Sequence, residues 1–207
     1  MTIRRRFIFA AIASASLAAC AGSYTGPVEV TRFIAENPAG LGQGPIVVYF
    51  PEEMSNRGAK AAFSAAVSEE LRQQGYTIVA QEGPGIQVAT VRTSRGPIQG
   101  AGRSGRSPVS VGVGGNTGTY GSGVGLGVGI NLGGGQSGPA VVTDLSVRIT
   151  DAQTQTLWEG RAELPTSVNS PYSQTEASAR ALSKALFRDF PGGNGETVTV
   201  RVTDLDK

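Results

Sequence analysis

Hydrophobic and polar positions change period along this chain, and each change marks an element. Residues 28–34 alternate loosely and predict a strand. Residues 46–50 form a short unbroken apolar run, as in a buried central strand, and Pro51 ends it. From 58 to 74 the positions Ala59, Ala62, Phe63, Ala66, Val67 and Leu71 recur every three or four residues, which places them on one face of a helix. Gly75 follows where a C-terminal helix glycine belongs. Residues 76–79 and 86–92 read as strands. The periodicity then collapses: 16 of the 39 residues from 100 to 138 are glycine. Alternation returns over 141–150, with Val141, Thr143, Leu145, Val147 and Ile149 on one face and Asp144, Ser146 and Arg148 on the other. A polar turn at 151–155 and a strand at 156–162 complete a hairpin. Residues 173–190 predict a second helix with Ala179, Leu182, Ala185, Leu186 and Phe190 on its apolar face. Ser173 and Glu176 stand there at capping-box spacing, and Pro191-Gly192-Gly193 stops the helix. Residues 197–202 predict a last strand, with Val198, Val200 and Val202 in phase.

This order predicts an α+β fold: a mostly antiparallel sheet with two helices packed on one face, plus a Gly-rich insert. One domain is expected, formed by 28–99 and 139–207 and interrupted by the insert at 100–138.

The first twenty residues follow a different logic. Arg4, Arg5 and Arg6 precede an uncharged apolar and small-residue run at 7–17, and Leu17-Ala18-Ala19-Cys20 follows. A basic stretch, a short apolar stretch and small residues at the cut make a secretory signal. The run is too short to stay in a membrane as a helix, which takes about 20 apolar residues. A plain secreted protein with a chance cysteine is the simpler alternative. Leu17-Ala18-Ala19-Cys20 resembles the lipobox of bacterial lipoproteins, and Cys20 is the single cysteine of the chain. The resemblance implies cleavage between Ala19 and Cys20, a diacylglycerol on the Cys20 sulfur and an acyl group on the new amine. Each buried CH2 contributes about 0.8 kcal/mol and stable anchoring takes more than one chain, so three chains hold firmly. Residues 1–19 are then a signal peptide and 20–27 a tether. Ala21 rather than Asp after the cysteine implies, by the sorting pattern of enteric bacteria, the outer membrane.

Composition narrows the chemistry. Without residues 1–19, 188 of the 207 remain and the formal charge falls from +2 to −1, so no global charge steers the protein to nucleic acid. With Cys20 acylated no disulfide can form. The absence of histidine removes the commonest general base and the commonest transition-metal ligand. Two GxGxxG matches, at 100–105 and 133–138, open no helix and so lack the context of a dinucleotide site. A Ser-Lys pair would need Lys60 or Lys184, both on helical surfaces. Among carboxylates, Glu52 and Glu53 are adjacent, Glu69-Glu70 reads as a solvated pair, and Asp151 suits a turn. Asp144 is a further acidic candidate. Asp204 and Asp206 fall short of a calcium shell. No catalytic set, metal or cofactor is expected.

The hairpin carries a second resemblance. Leu145 to Asp151, followed by Thr156-Leu157-Trp158-Glu159-Gly160-Arg161-Ala162, is similar to the signature hairpin of the DUF4136 family of bacterial lipoproteins. Leu71-Arg72-Gln73-Gln74-Gly75-Tyr76 is similar to that family's first helix end and following strand. The resemblance implies the fold and an envelope location, with Trp158 as a core anchor and Gly160 relieving crowding. It implies no catalytic residue.

Two further features suggest partners. Arg92, Arg95, Arg103 and Arg106 lie in a stretch free of acidic residues, between Glu82 and Asp144; the simpler reading is a solvated loop, and the sharper one makes them contacts for anionic lipid or lipopolysaccharide phosphates. Residues 123–133 alternate glycine with apolar residues, Asn131 excepted; such a composition first suggests a loosely ordered insert, but its length is also near that of a membrane-crossing strand, about 9–11 residues. The expected protein is a non-catalytic, lipid-anchored lipoprotein with a periplasmic binding or structural domain. Its partners are the membrane and lipopolysaccharide or another envelope protein. The alternative is an oligomeric, membrane-associated lipoprotein whose Gly-rich hairpin inserts into the membrane or lines a pore.

Overall fold

The computed structural model describes residues 23–51, 56–98, 111–113, 126–128 and 140–206. Its main body is α+β. Strands β1 (Val28–Ile34), β2 (Gly44–Tyr49), β3 (Tyr76–Val79), β4 (Gln87–Pro97), β7 (Val141–Thr150), β8 (Thr156–Thr166) and β9 (Thr197–Val200) form one seven-stranded sheet, ordered β3-β2-β4-β7-β8-β1-β9. The β4-β7-β8-β1-β9 side is antiparallel, whereas β2 pairs in parallel with both β3 and β4. The crossover from β2 to β3 runs through helix α1 (Arg57–Gln73), as parallel strands require. Helix α2 (Thr175–Phe187) lies beside α1, and both pack on the same face of the sheet. Apart from these, β5 (Val111–Val113) and β6 (Leu126–Val128) pair antiparallel with each other, Gly112 opposite Gly127.

The inward positions of each strand meet the helices. Val28, Val30, Leu145, Val147, Ile149, Trp158, Ala162 and Leu164 are fully buried, together with Val67, Leu71, Leu182 and Leu186 from the helices. Trp158 organizes the far end of this core. Its indole stacks on Phe187 with centroids 5.4 Å apart, meets Phe190 at 5.3 Å, and donates from Nε1 to the carbonyl of Pro191 at 2.9 Å. Asp151 builds the β7–β8 turn as expected. Its Oδ1 accepts from the amides of Gln153 at 2.9 Å and Gln155 at 2.8 Å.

Several boundaries depart from the sequence pattern. β4 runs on to Pro97 because pairing with β7 carries residues that have no apolar alternation of their own, and β8 runs on to Thr166 with Leu164 still in its inward phase. α2 begins at Thr175 rather than at Ser173. Ser173 ends a 3-10 turn (Pro171–Ser173), and its hydroxyl donates to the carbonyl of Val168 at 2.9 Å, so no Ser173–Glu176 capping box forms. The helix stops at Phe187, with Asp189 at φ 54°, and Phe190 joins the core from beyond it. β9 ends at Val200, and Val202 opens a further 3-10 turn.

Candidate functional site

The chain enters the fold beside the end of β8. The amide of Tyr24 donates to Ser167 Oγ at 2.9 Å, and the amide of Ser167 donates back to the carbonyl of Tyr24 at 2.9 Å. Thr25 bridges to Thr166, its hydroxyl lies 2.6 Å from that of Ser170, and the amide of Gly26 donates to the carbonyl of Pro165 at 2.9 Å. The expected tether is therefore fixed to the sheet from Tyr24 onward, four residues beyond Cys20. The Gly-rich insert leaves from the same end. The amide of Ile98 donates to the carbonyl of Ala140 at 3.0 Å, and the amide of Ala140 donates to the carbonyl of Thr166 at 2.9 Å. Thr166 thus stands between the entering chain and both roots of the insert.

Of the residues singled out in the sequence, Ala19, Cys20, Glu52, Glu53, Arg103, Arg106 and both GxGxxG matches lie outside the described residues, as does most of the 123–133 alternation. Arg92 and Arg95 are described, but strand parity sends them to opposite faces of the sheet. Arg95 turns to the helix side and donates to the carbonyl of Ser173. Arg92 faces outward beside Ser146. The two do not make one basic surface.

That outward face carries a ladder of ion pairs. Arg161 spans Asp144 at 2.7 Å and Glu163 at 2.9 Å, and Arg148 meets Glu159 at 3.0 Å. Burial pushes the Glu163 carboxyl above the usual range; Arg161 pulls it down, and Asp144 and Glu29 push it up. Lys60 and Lys184 are both engaged. Lys60 Nζ stands 5.6 Å over the Phe50 ring and Lys184 pairs with Asp206. Asp204 pairs with Arg201 at 2.9 Å.

A groove of about 280 Å³ runs between the helices, with Ala62, Ala65 and Ala66 on α1 facing Arg180 and Lys184 on α2. Glu70 lines it at only 8% exposure, which corrects the reading of Glu69-Glu70 as a solvated pair. The cause is helical phase: Glu70 follows Val67 by three residues on the face turned to α2, while Glu69 stands at the exposed lip of the groove, 3.4 Å from Arg72. Burial pushes the Glu70 carboxyl up; Lys184 pulls it down and Glu69 adds to the rise.

Arg32 is the other residue that sequence reasoning passed over. It is 5% exposed, and its guanidinium donates to the carbonyls of Ala185, Leu186 and Arg188, each at 2.9 Å. It closes the C-terminus of α2, where unpaired carbonyls and the helix dipole favour a cation. Its place after Val28 and Val30 in the inward phase of β1 was the signal.

Among the described residues no three His, Cys, Asp or Glu side chains could hold a metal, and no helix is long and apolar enough to cross a membrane. Fold and entry point together define a helix-covered sheet domain with its chain start and its insert at one end. Residues 49–192 match the model of the domain of unknown function DUF4136, and the chain belongs to that family. No curated protein matches it. A PDZ domain protein from Parabacteroides distasonis ATCC 8503 is similar at 13% identity and a TM-score of 0.51, over 86% of this chain and 38% of that one. This likeness shows the fold alone, and the chain spans well under half of that protein's length. Two structures of the PelC dodecamer from Paraburkholderia phytofirmans match 75% of this chain and 91% of theirs. Their identities are 11% and 10% and their TM-scores 0.34 and 0.36, too remote to carry an argument.

Proposed function

We propose that this is a lipid-anchored protein of the cell envelope, held in the outer membrane through Cys20, whose domain does binding or structural work on the periplasmic side. The observation that carries the reading is the sequence run Arg4-Arg5-Arg6, apolar stretch, Leu17-Ala18-Ala19-Cys20, with Tyr24 hydrogen-bonded to the domain only four residues further on. A non-catalytic role is favoured by how the charged side chains are used. Arg32, Arg148, Arg161, Lys184 and Arg201 are all engaged with carbonyls or carboxylates of the fold itself.

Mass spectrometry of the full chain recovered from bacterial membranes tests the reading. An N-terminus at an acylated Cys20 supports it, with Cys20→Ser moving the protein out of the membrane fraction. A free Cys20 thiol, or an N-terminus elsewhere, rejects it. The antiparallel register of β5 and β6 favours a second reading, in which the glycine-rich hairpin contributes to a membrane-inserted oligomer. Deleting residues 100–138 and following a detergent-resistant oligomer decides it: loss of the oligomer supports insertion, and no change rejects it.

A further inference from the structure

We infer that the sheet stands end-on to the bilayer, and that the rim formed by Tyr24, Pro97, Ile98, Ala140, Val168 and Pro171 is its membrane-contacting face. The inference rests on the lipid anchor at Cys20 and adds to it an orientation and a contact surface.

Chain length sets which end stays near the bilayer. Tyr24 is fixed to Ser167 by a backbone-amide hydrogen bond in each direction, and only four peptide steps separate it from Cys20. Four extended residues reach at most about 14 Å. An acylated Cys20 lies at the headgroup level, so the Tyr24 end of the sheet stays within that distance of the bilayer. The opposite end, the turn at 151–155, is separated from it by the length of β8, eleven residues or about 35 Å. The tether therefore keeps the Tyr24 end at the surface, and the composition of that end selects it over a sheet face as the contact.

The rim's composition fits a bilayer. Val168 is 68% exposed, more than any other large apolar residue of the described chain. Pro97 and Pro171 are exposed beside it, Ile98 is half-buried, and no acidic residue belongs to the rim. The remaining exposed aromatics do not offer a rival face. Phe33 and Tyr49 share the outward side of the sheet, but the Arg148–Glu159 ion pair lies between them, and bringing that face to lipid would desolvate it. Ile98 and Ala140, which flank the insert, are hydrogen-bonded to each other and both belong to this rim.

The test uses the full chain, matured in cells and reconstituted in phosphatidylethanolamine–phosphatidylglycerol vesicles containing brominated lipid. Cys20 is the single native cysteine and is acylated, so Val168→Cys and Gln153→Cys each introduce one fluorophore site. Both positions are exposed, so neither change disturbs the core. Asn169→Cys serves as a second site on the rim side. Flotation with vesicles reports the anchor, and quenching reports the orientation. Several-fold stronger quenching at 168 and 169 than at 153 supports end-on contact. Flotation with equal quenching, or with stronger quenching at 153, overturns the orientation and leaves the anchor standing. Failure to float overturns both.

Discussion

The indole of Trp158 lies directly over the α-carbon of Gly160. A Cβ built at Gly160 would stand 2.4 Å from Cη2 of Trp158 and 2.8 Å from Cδ1 of Leu186. The Trp-x-Gly spacing is therefore one packing unit: the glycine is the floor on which the buried ring rests. Gly160→Ala is expected to cost about 1–3 kcal/mol, the usual penalty of overpacking a filled core. Urea unfolding followed by Trp158 fluorescence measures it. An unchanged midpoint would show that the ring is free to move aside.

Arg32 and the end of α2 make a second such unit. Three helix-end carbonyls, those of Ala185, Leu186 and Arg188, converge on one guanidinium. Arg32→Met keeps the aliphatic stem but removes the donors, and is expected to cost roughly 2–3 kcal/mol. Arg32→Lys should recover less than half of that, because a single ammonium cannot reproduce the planar fork. Equal stability of the lysine variant and the native chain would reduce the interaction to simple charge.

How much of this was legible beforehand depended on whether the information was local. The bounds of β7 are legible to the residue, because its alternation is strict and the face from Thr143 to Ile149 is buried. Asp151 and Trp158-x-Gly160 were legible for the same reason, since turn chemistry and close packing act within a few residues. Boundaries set by a partner strand were not: the last residues of β4 carry Thr, Ser, Arg, Gly and Pro, and only their pairing with β7 makes them a strand. The start of α2 was misplaced because Ser173 spends its hydroxyl on Val168 instead of on the helix. Glu70 looked solvated beside Glu69 because the sequence does not say which face α2 will cover.

Glu70 gives the domain an acid-favouring contribution. Its carboxyl titrates higher in the folded protein than in the unfolded chain, chiefly through burial. Between those two values the folded state holds a proton that the unfolded state has released. Stability from this group is thus full at low pH and falls as pH rises through the carboxylate range. Glu163 acts in the same direction. Glu70→Gln removes the charge and keeps the shape, so at pH 7 it should be more stable than the native chain. The gap should close below about pH 4, where both side chains are neutral. Denaturant midpoints at the two pH values check this. A less stable variant at pH 7 would mean that attraction between Glu70 and Lys184 outweighs the burial.

The segment before β1 is part of the domain, and exchange of its amides should show it. The amides of Tyr24, Gly26 and Ser167 all donate within the fold, and the Thr25 and Ser170 hydroxyls meet at 2.6 Å. A loose tether would exchange these amides at coil rates; a docked one slows them. Ser167→Ala removes the acceptor of the Tyr24 amide, a loss of about 1 kcal/mol, and should speed exchange at Tyr24 roughly five-fold. Val147, fully buried in the middle of the sheet, should keep its rate. Coil-rate exchange at Tyr24 and Gly26 in the native chain would lengthen the free reach from Cys20 to the first fixed residue. The constraint that holds one end of the sheet near the bilayer would then weaken with each added residue.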